Sequence, residues 1–148
     1  MTIRERADGF FAQLSSKLEG EAVALNSEGA ANFTLADIPF VAALDDESGT
    51  LLVCALLGTV PEGATRSRAL RLLAGANCNW GGTGGGVIGL DEESDLVWLQ
   101  RRFDLDIVPA DDFTALVAEQ LYLGRYWIAR LQELEETPAT LPTPDLFA

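Results

Sequence analysis

The stretch "TLLVCALLG", residues 50–58, is apolar at nearly every position. A strand with one wet face alternates apolar and polar residues, so an uninterrupted apolar run has to be covered on both sides. It is far shorter than the ~20 residues a membrane-spanning helix needs. The run "LVWL" at 96–99 makes the same demand. Both read as strands of an antiparallel sheet, a construction that normally leaves one face partly wet. A second copy of the chain is the simplest cover for that face, because twofold homodimers are the commonest assemblies. The alternative is a long final helix that wraps more of the sheet.

The remaining elements follow from periodicity. "IRERADGFFAQLSSKL" sets Ile3, Ala7, Phe10, Phe11, Leu14 and Leu18 three and four residues apart. At 100° per residue they fill an arc of roughly 100°, the stripe of an amphipathic helix. Phe10 and Phe11 take opposite edges of this stripe, so one of them is expected to meet something other than the main core. "AVALN" (22–26) is a weak strand signal, followed by strands "NFTLAD" (32–37) and "IPFVAAL" (38–44) and the turn "DDESG" (45–49). Pro39 suits an edge strand or the first residues of one. "TRSRALRLLAGAN" (65–77) is a short helix ended by Gly75 and Asn77. "GVIGLD" (86–91) and "SDLVWLQRR" (94–102) are two strands joined by an acidic turn, and a last helix runs from about Asp111 to Glu135. Asp111 or Asp112 can cap that helix. The order is α-β-β-β-α-β-β-α, an α+β fold with a twisted antiparallel sheet packed against helices. One domain covers 1–136, and the proline-rich tail "TPATLPTPDLFA" (137–148) is expected to be extended.

Composition removes whole classes of function. The net charge is −13, with one lysine, Lys17, in the chain. Affinity for phosphates comes largely from Lys and Arg, so no nucleic-acid partner is expected, and an acidic surface repels membranes. There is no histidine, the commonest general base and metal ligand. The two cysteines are too few for a disulfide framework. Cys54 reads as a small buried hydrophobe, and Cys78 has no histidine to activate it. "MTIRERADGF" is not followed by an apolar segment, so no secretory signal is expected and the cytoplasm is the expected compartment.

"GGTGGGVIGL" at 81–90 places Gly84, Gly86 and Gly89 in the spacing G-x-G-x-x-G. A dinucleotide fingerprint needs a strand leading into the glycines and a helix leaving them, with its N-terminal amides on the pyrophosphate. Here a helix precedes and a strand follows. Walker and kinase loops each need a lysine that is missing. The run is therefore a helix-to-strand connection, and no cofactor is expected. Two acidic clusters, Asp45–Asp46–Glu47 and Asp91–Glu92–Glu93–Asp95, sit on turns. Paired carboxylates can serve glycoside hydrolysis or calcium, but the calcium-loop pattern is absent and solvated turns explain them. Arg66, Arg68 and Arg71 read as a solvated basic face. No catalytic residue and no metal ligand is assigned.

The stretch "LRLLAGANCNWGGTGGGVIGLDEESDLVWLQRRFDLDIVPADDFTALVAEQLYLGRYW" (70–127) resembles the class I type III secretion chaperones, the Tir-chaperone (CesT-like) family. The shared pattern is "LLAGAN" closing a short helix, "GG" before a strand ending in Asp91, an apolar strand, and a crossover into a long final helix. "VALNSEGAANFTLADIPFVAAL…TLLVCALLGTVP" (23–61) is similar to the family's three-strand half. The resemblance implies an acidic, cytoplasmic homodimer, neither an enzyme nor an ATPase, that holds the N-terminal segment of a secreted effector protein. Strand addition to a sheet edge and apolar anchors beside the first helix would hold that segment, which points to Phe10, Phe11, Leu14, Phe33 and Leu35. The family's dimer seam points to Leu70, Leu73, Trp80, Val87, Ile88 and Trp98. Two other readings stay open at this stage: a YbjN-like regulatory or scaffold module of the same fold, and a small acidic hydrolase using two carboxylates.

Overall fold

The computed structural model describes residues 1–17 and 22–136, so Leu18 and the tail 137–148 lie outside the described residues. Three strands come first: β1 (Ala30–Leu35), β2 (Ile38–Asp45) and β3 (Thr50–Thr59). β4 (Val87–Leu90) and β5 (Leu96–Asp104) follow the second helix, and the helices are α1 (Ile3–Lys17), α2 (Arg66–Ala76) and α3 (Ala110–Glu136). The strands form one antiparallel sheet in the order β1-β2-β3-β5-β4. This is the element order the periodicity predicts.

Some boundaries differ from expectation. Residues 22–26 are not a strand; Asn26 opens a turn into β1, its N–H donating to the Ala30 carbonyl at 2.7 Å. Gly75 lies inside α2 and does not end it. Asp111 and Asp112 lie in the first turn of α3, not at its cap, where they still complement the positive end of the helix dipole. At the start of α1 the Glu5 N–H donates to Thr2 Oγ1 and the Thr2 N–H donates to a Glu5 carboxylate oxygen, at 3.1 and 2.8 Å. That reciprocal pair is a capping box, written in the sequence as T-x-x-E.

Alternation along β3 decides where the core lies. Leu51, Val53, Ala55 and Leu57 are buried, while Leu52, Cys54 and Leu56 are half-buried on the opposite face. Pairing carries Phe40 and Ala42 of β2, and Leu99 and Phe103 of β5, onto the buried side. The helices pack on this side. α3 turns Phe113, Val117, Gln120, Gly124, Trp127 and Leu131 inward, a spacing of alternate fours and threes. The buried Gln120 amide donates to the carbonyls of Val53 and Leu99 at 3.0 and 2.8 Å, clipping the helix across β3 and β5. Pro39 is tolerated because the β2–β3 ladder begins at Phe40 opposite Ala55, so no ladder bond is lost.

Two expectations are corrected here. Phe10 and Phe11 are 3% and 0% exposed, so neither ring stands outside the core. The reason is Phe113 of α3, whose ring lies 5.0 Å from Phe10 and 5.7 Å from Phe11 between centroids. A neighbouring helix covers the outer edge of the α1 stripe. Phe11 also meets Phe33, Phe33 stacks on Phe40, and Phe103 meets Phe113 edge-on. Cys54, in turn, is not a core residue; it faces the side of the sheet opposite the helices.

Candidate functional site

That opposite side is the face whose cover the sequence demands. It carries Leu52, Cys54 and Leu56 with Trp98 of β5, all half-buried by their neighbours. Val41, Cys54, Trp98 and Gln100 line a shallow pocket of about 190 Å³. Burial pushes the Cys54 thiol up to about 11, so at pH 8 on the order of one thiol in a thousand is thiolate. Cys78 is exposed. Alkylation of the native protein at pH 8 is therefore expected to label Cys78 rapidly and Cys54 only after denaturation. Peptide mass mapping checks this, and equal labelling of the two would contradict the placement of Cys54.

The two edges of the sheet differ. The Gly29 carbonyl accepts from the Leu44 N–H of β2 at 2.8 Å. Counting by two in an antiparallel ladder, Ala31, Phe33 and Leu35 also bond across to β2, so Ala30, Asn32 and Thr34 point outward. Ala30 is held by Asn26. The outward N–H and C=O groups of Asn32 and Thr34 have no strand beside them among the described residues. At the far edge, the Asp91 N–H donates to the Leu96 carbonyl of β5, so Ile88 and Leu90 point outward from β4. The Ile88 N–H donates to Asn77 Oδ1 at 2.7 Å, and Asn77 Nδ2 donates to the Ile88 carbonyl at 2.9 Å. Just before the strand, Thr83 takes both groups of Gly86: its carbonyl accepts the Gly86 N–H and its hydroxyl donates to the Gly86 carbonyl.

The residues singled out as effector anchors separate on burial. Phe33 is half-buried at the open β1 edge, over Phe11 and Phe40, whereas Phe10, Phe11, Leu14 and Leu35 are buried in the core. The seam residues also divide. Leu73 and Ile88 are buried between α2 and β4, Leu70, Trp80 and Val87 are exposed, and Trp98 lies on the sheet face opposite the helices. Leu90, also exposed, lines a shallow pocket with Leu70. Unforeseen is a groove of about 680 Å³ between α2 and α3, lined by Arg71, Leu72, Tyr122, Tyr126 and Trp127 among others. Its signal in the sequence is the pair of tyrosines four residues apart, off the buried line of α3.

The glycine run and the acidic turns have structural work. A Cβ on Gly86 would lie 2.5 Å from the Gln100 carbonyl oxygen, and one on Gly82 would lie 2.7 Å from the Trp127 ring. The Trp127 indole N–H donates to the Gly82 carbonyl at 2.7 Å, and Arg101 donates to the Gly84 carbonyl at 2.6 Å. These glycines let the loop pack against β5 and α3. Asp45 accepts from the Ser48 hydroxyl and from the Ser48 and Glu47 amides, which hold its carboxyl below the usual range. Asp95 forms a two-pronged pair with Arg66, 3.0 Å on each arm, and is lowered by it. No group of three or more His, Cys, Asp or Glu among the described residues is arranged to hold a metal ion. No helix among them is long and apolar enough to cross a membrane.

Residues 9–127 match the Tir chaperone protein (CesT) family. The chain belongs to that family. Three solved structures share its fold. A chain of the ExsC–ExsE complex superposes with a TM-score of 0.74 at 21% identity, covering 88% of this chain and 97% of that one. A chain of the HopA1–SchA chaperone–effector complex gives 0.65 at 18% identity, covering 85% and 95%. A chain of the heterodimeric ExoU–SpcU complex, from the type III secretion system of Pseudomonas aeruginosa, gives 0.57 at 20%, covering 88% and 98%. No curated protein matches the sequence significantly.

Proposed function

We propose that this chain is an ATP-independent chaperone that binds the N-terminal segment of a type III secreted effector and keeps it export-competent. Membership of the Tir chaperone family supports it, as does the likeness to a chaperone–effector complex. The observation that carries the geometry is the outer edge of β1 at Asn32 and Thr34, which has no strand beside it among the described residues. An extended effector segment bonds to these groups as a sixth strand, with main-chain hydrogen bonds supplying affinity and side-chain pockets supplying specificity. Phe33 is its aromatic anchor, and the apolar face around Val41 and Trp98 offers further ones. Holding the segment extended keeps it from folding before export, with no step that needs a cofactor or a catalytic group. The protein acts in the cytoplasm as a homodimer, with Leu70, Trp80, Val87 and Leu90 against their counterparts in a second copy.

Thr34→Pro tests this reading. The Thr34 N–H points away from β2, so proline removes an outward donor while sparing the ladder, and proline is tolerated on edge strands. The variant is expected to keep wild-type circular dichroism and melting while effector co-purification falls by up to about tenfold, the upper factor for one lost hydrogen bond. Undiminished capture would overturn the β1 site.

A further inference from the structure

We propose that the proline-rich tail 137–148 folds back along α3 and occupies the groove between α2 and α3. Trp127, 6% exposed, is the floor of this groove, fixed by the hydrogen bond from its indole N–H to the Gly82 carbonyl. Tyr126 stands edge-on to that ring at 5.0 Å, and Tyr122 lies one turn back along α3. Both tyrosines are exposed, at 50% and 73%. Arg71 and Leu72 of α2 line the facing wall. Aromatic-lined grooves take polyproline II segments. Such a segment makes no internal hydrogen bonds, so its carbonyls are free for tyrosine hydroxyls while its proline rings lie on aromatic faces. The tail carries Pro138, Pro142 and Pro144, and it follows α3 directly at Glu136. Its reach matches the groove. On a helix rising about 1.5 Å per residue, Tyr126 and Tyr122 lie ~15 and ~21 Å back from Glu136. With residues 137–139 making the turn, an extended run at about 3.1 Å per residue carries Pro144 ~15 Å and Leu146 ~22 Å back. Pro144 then comes level with Tyr126, and Leu146 with Tyr122. Asp145, the one charged side chain of the tail, is opposite in sign to Arg71, which has no carboxylate partner among the described residues. A short connection holds the tail at roughly millimolar effective concentration, so a contact with a dissociation constant of about 100 µM is already about nine-tenths formed. The groove takes in none of the seam residues, and Leu70 lies across α2 from it, beside Leu90. The fold-back therefore requires neither the dimer nor a client.

The test uses the full isotope-labelled chain with no client. Nuclear Overhauser contacts are expected between the Pro144 ring protons and Tyr126, and between the Leu146 methyls and Tyr122. Their absence from the folded wild type would overturn the proposal, whether the groove stays empty or waits for a client. Mixing labelled with unlabelled chains separates the two sources of a tail. Contacts found only between chains would give the groove to a neighbour's tail and overturn the fold-back. Two paired substitutions then probe the two sides of the contact. Tyr122→Ser with Tyr126→Ser alters exposed side chains alone, and Pro144→Gly with Leu146→Ser alters the tail alone. Both variants should keep wild-type circular dichroism and sedimenting mass. In both, the contacts should be lost and the Phe147 amide shift should move to its value in a free peptide of residues 137–148. A Phe147 shift that stays at the wild-type value in either variant counts against the proposal. A lower mass for the tyrosine pair would show that a second copy covers the groove, which also overturns it. Should the tyrosine pair not fold, the wild-type contacts and the tail pair decide.

Discussion

Phe11→Asp is expected to abolish folding, and Phe10→Asp to do the same, whether or not a client is present. Both rings belong to a cluster with Phe33, Phe40, Phe103 and Phe113 that joins α1, α3 and the sheet. Truncating a buried phenylalanine costs about 3–5 kcal/mol before any charge is considered. A carboxylate left there without a partner adds several kcal/mol or forces protonation. The sum rivals the 5–15 kcal/mol that typically separates folded from unfolded chains. Phe33→Asp should behave differently, because that ring is half-exposed at the β1 edge. It should fold, melt somewhat earlier and lose effector capture. Circular dichroism and gel filtration on the three variants decide the matter. A Phe10→Asp protein that melts cooperatively near the wild-type temperature would show that α3 does not seal the α1 stripe.

The misplaced ring shows how much of this fold the sequence displays. A stripe about 100° wide on α1 says that something apolar lies on each edge. It does not say whether the second cover is a helix of the same chain or another molecule. The answer lay in Phe113, at the far end of the chain, and no local pattern links residues 10 and 113. α3 was legible for the same reason that α1 was, by period, but its buried line passes through Gln120 and Gly124, which an apolar count skips. Gln120 is buried because it finds two carbonyls, a tertiary fact. The sheet was more transparent. Alternation failed in 50–58 and in 96–99, and these strands carry the apolar face opposite the helices. The edges were not readable, because strand order decides which backbone groups face outward. Asn77, read as a helix terminator, serves also as the partner of β4.

Gly86→Ala is expected to destabilise the protein by about 3 kcal/mol, near the upper end of what one inserted methyl costs in a packed site. For a domain of this size that lowers the melting temperature by roughly 10 °C. The new Cβ would lie 2.5 Å from the Gln100 carbonyl oxygen and 3.3 Å from that of Thr83. Both are backbone atoms, so neither can swing aside, and the move that relieves the clash pulls the loop away from β5. Gly89→Ala is the matched control. Its Cβ would meet the end of the Gln100 side chain at 3.2 Å, which can rotate, so the change should stay within about 1 kcal/mol. Together the pair separates two meanings of one glycine pattern. In a loop that cradles phosphate, glycine gives the backbone room to approach the ligand, so alanine removes binding and leaves the empty fold standing. In a loop that packs against its own sheet, alanine removes stability with no ligand present. Calorimetric melting of the two variants in buffer alone distinguishes them, and a Gly86→Ala protein as stable as Gly89→Ala would return the glycine run to the list of possible binding loops.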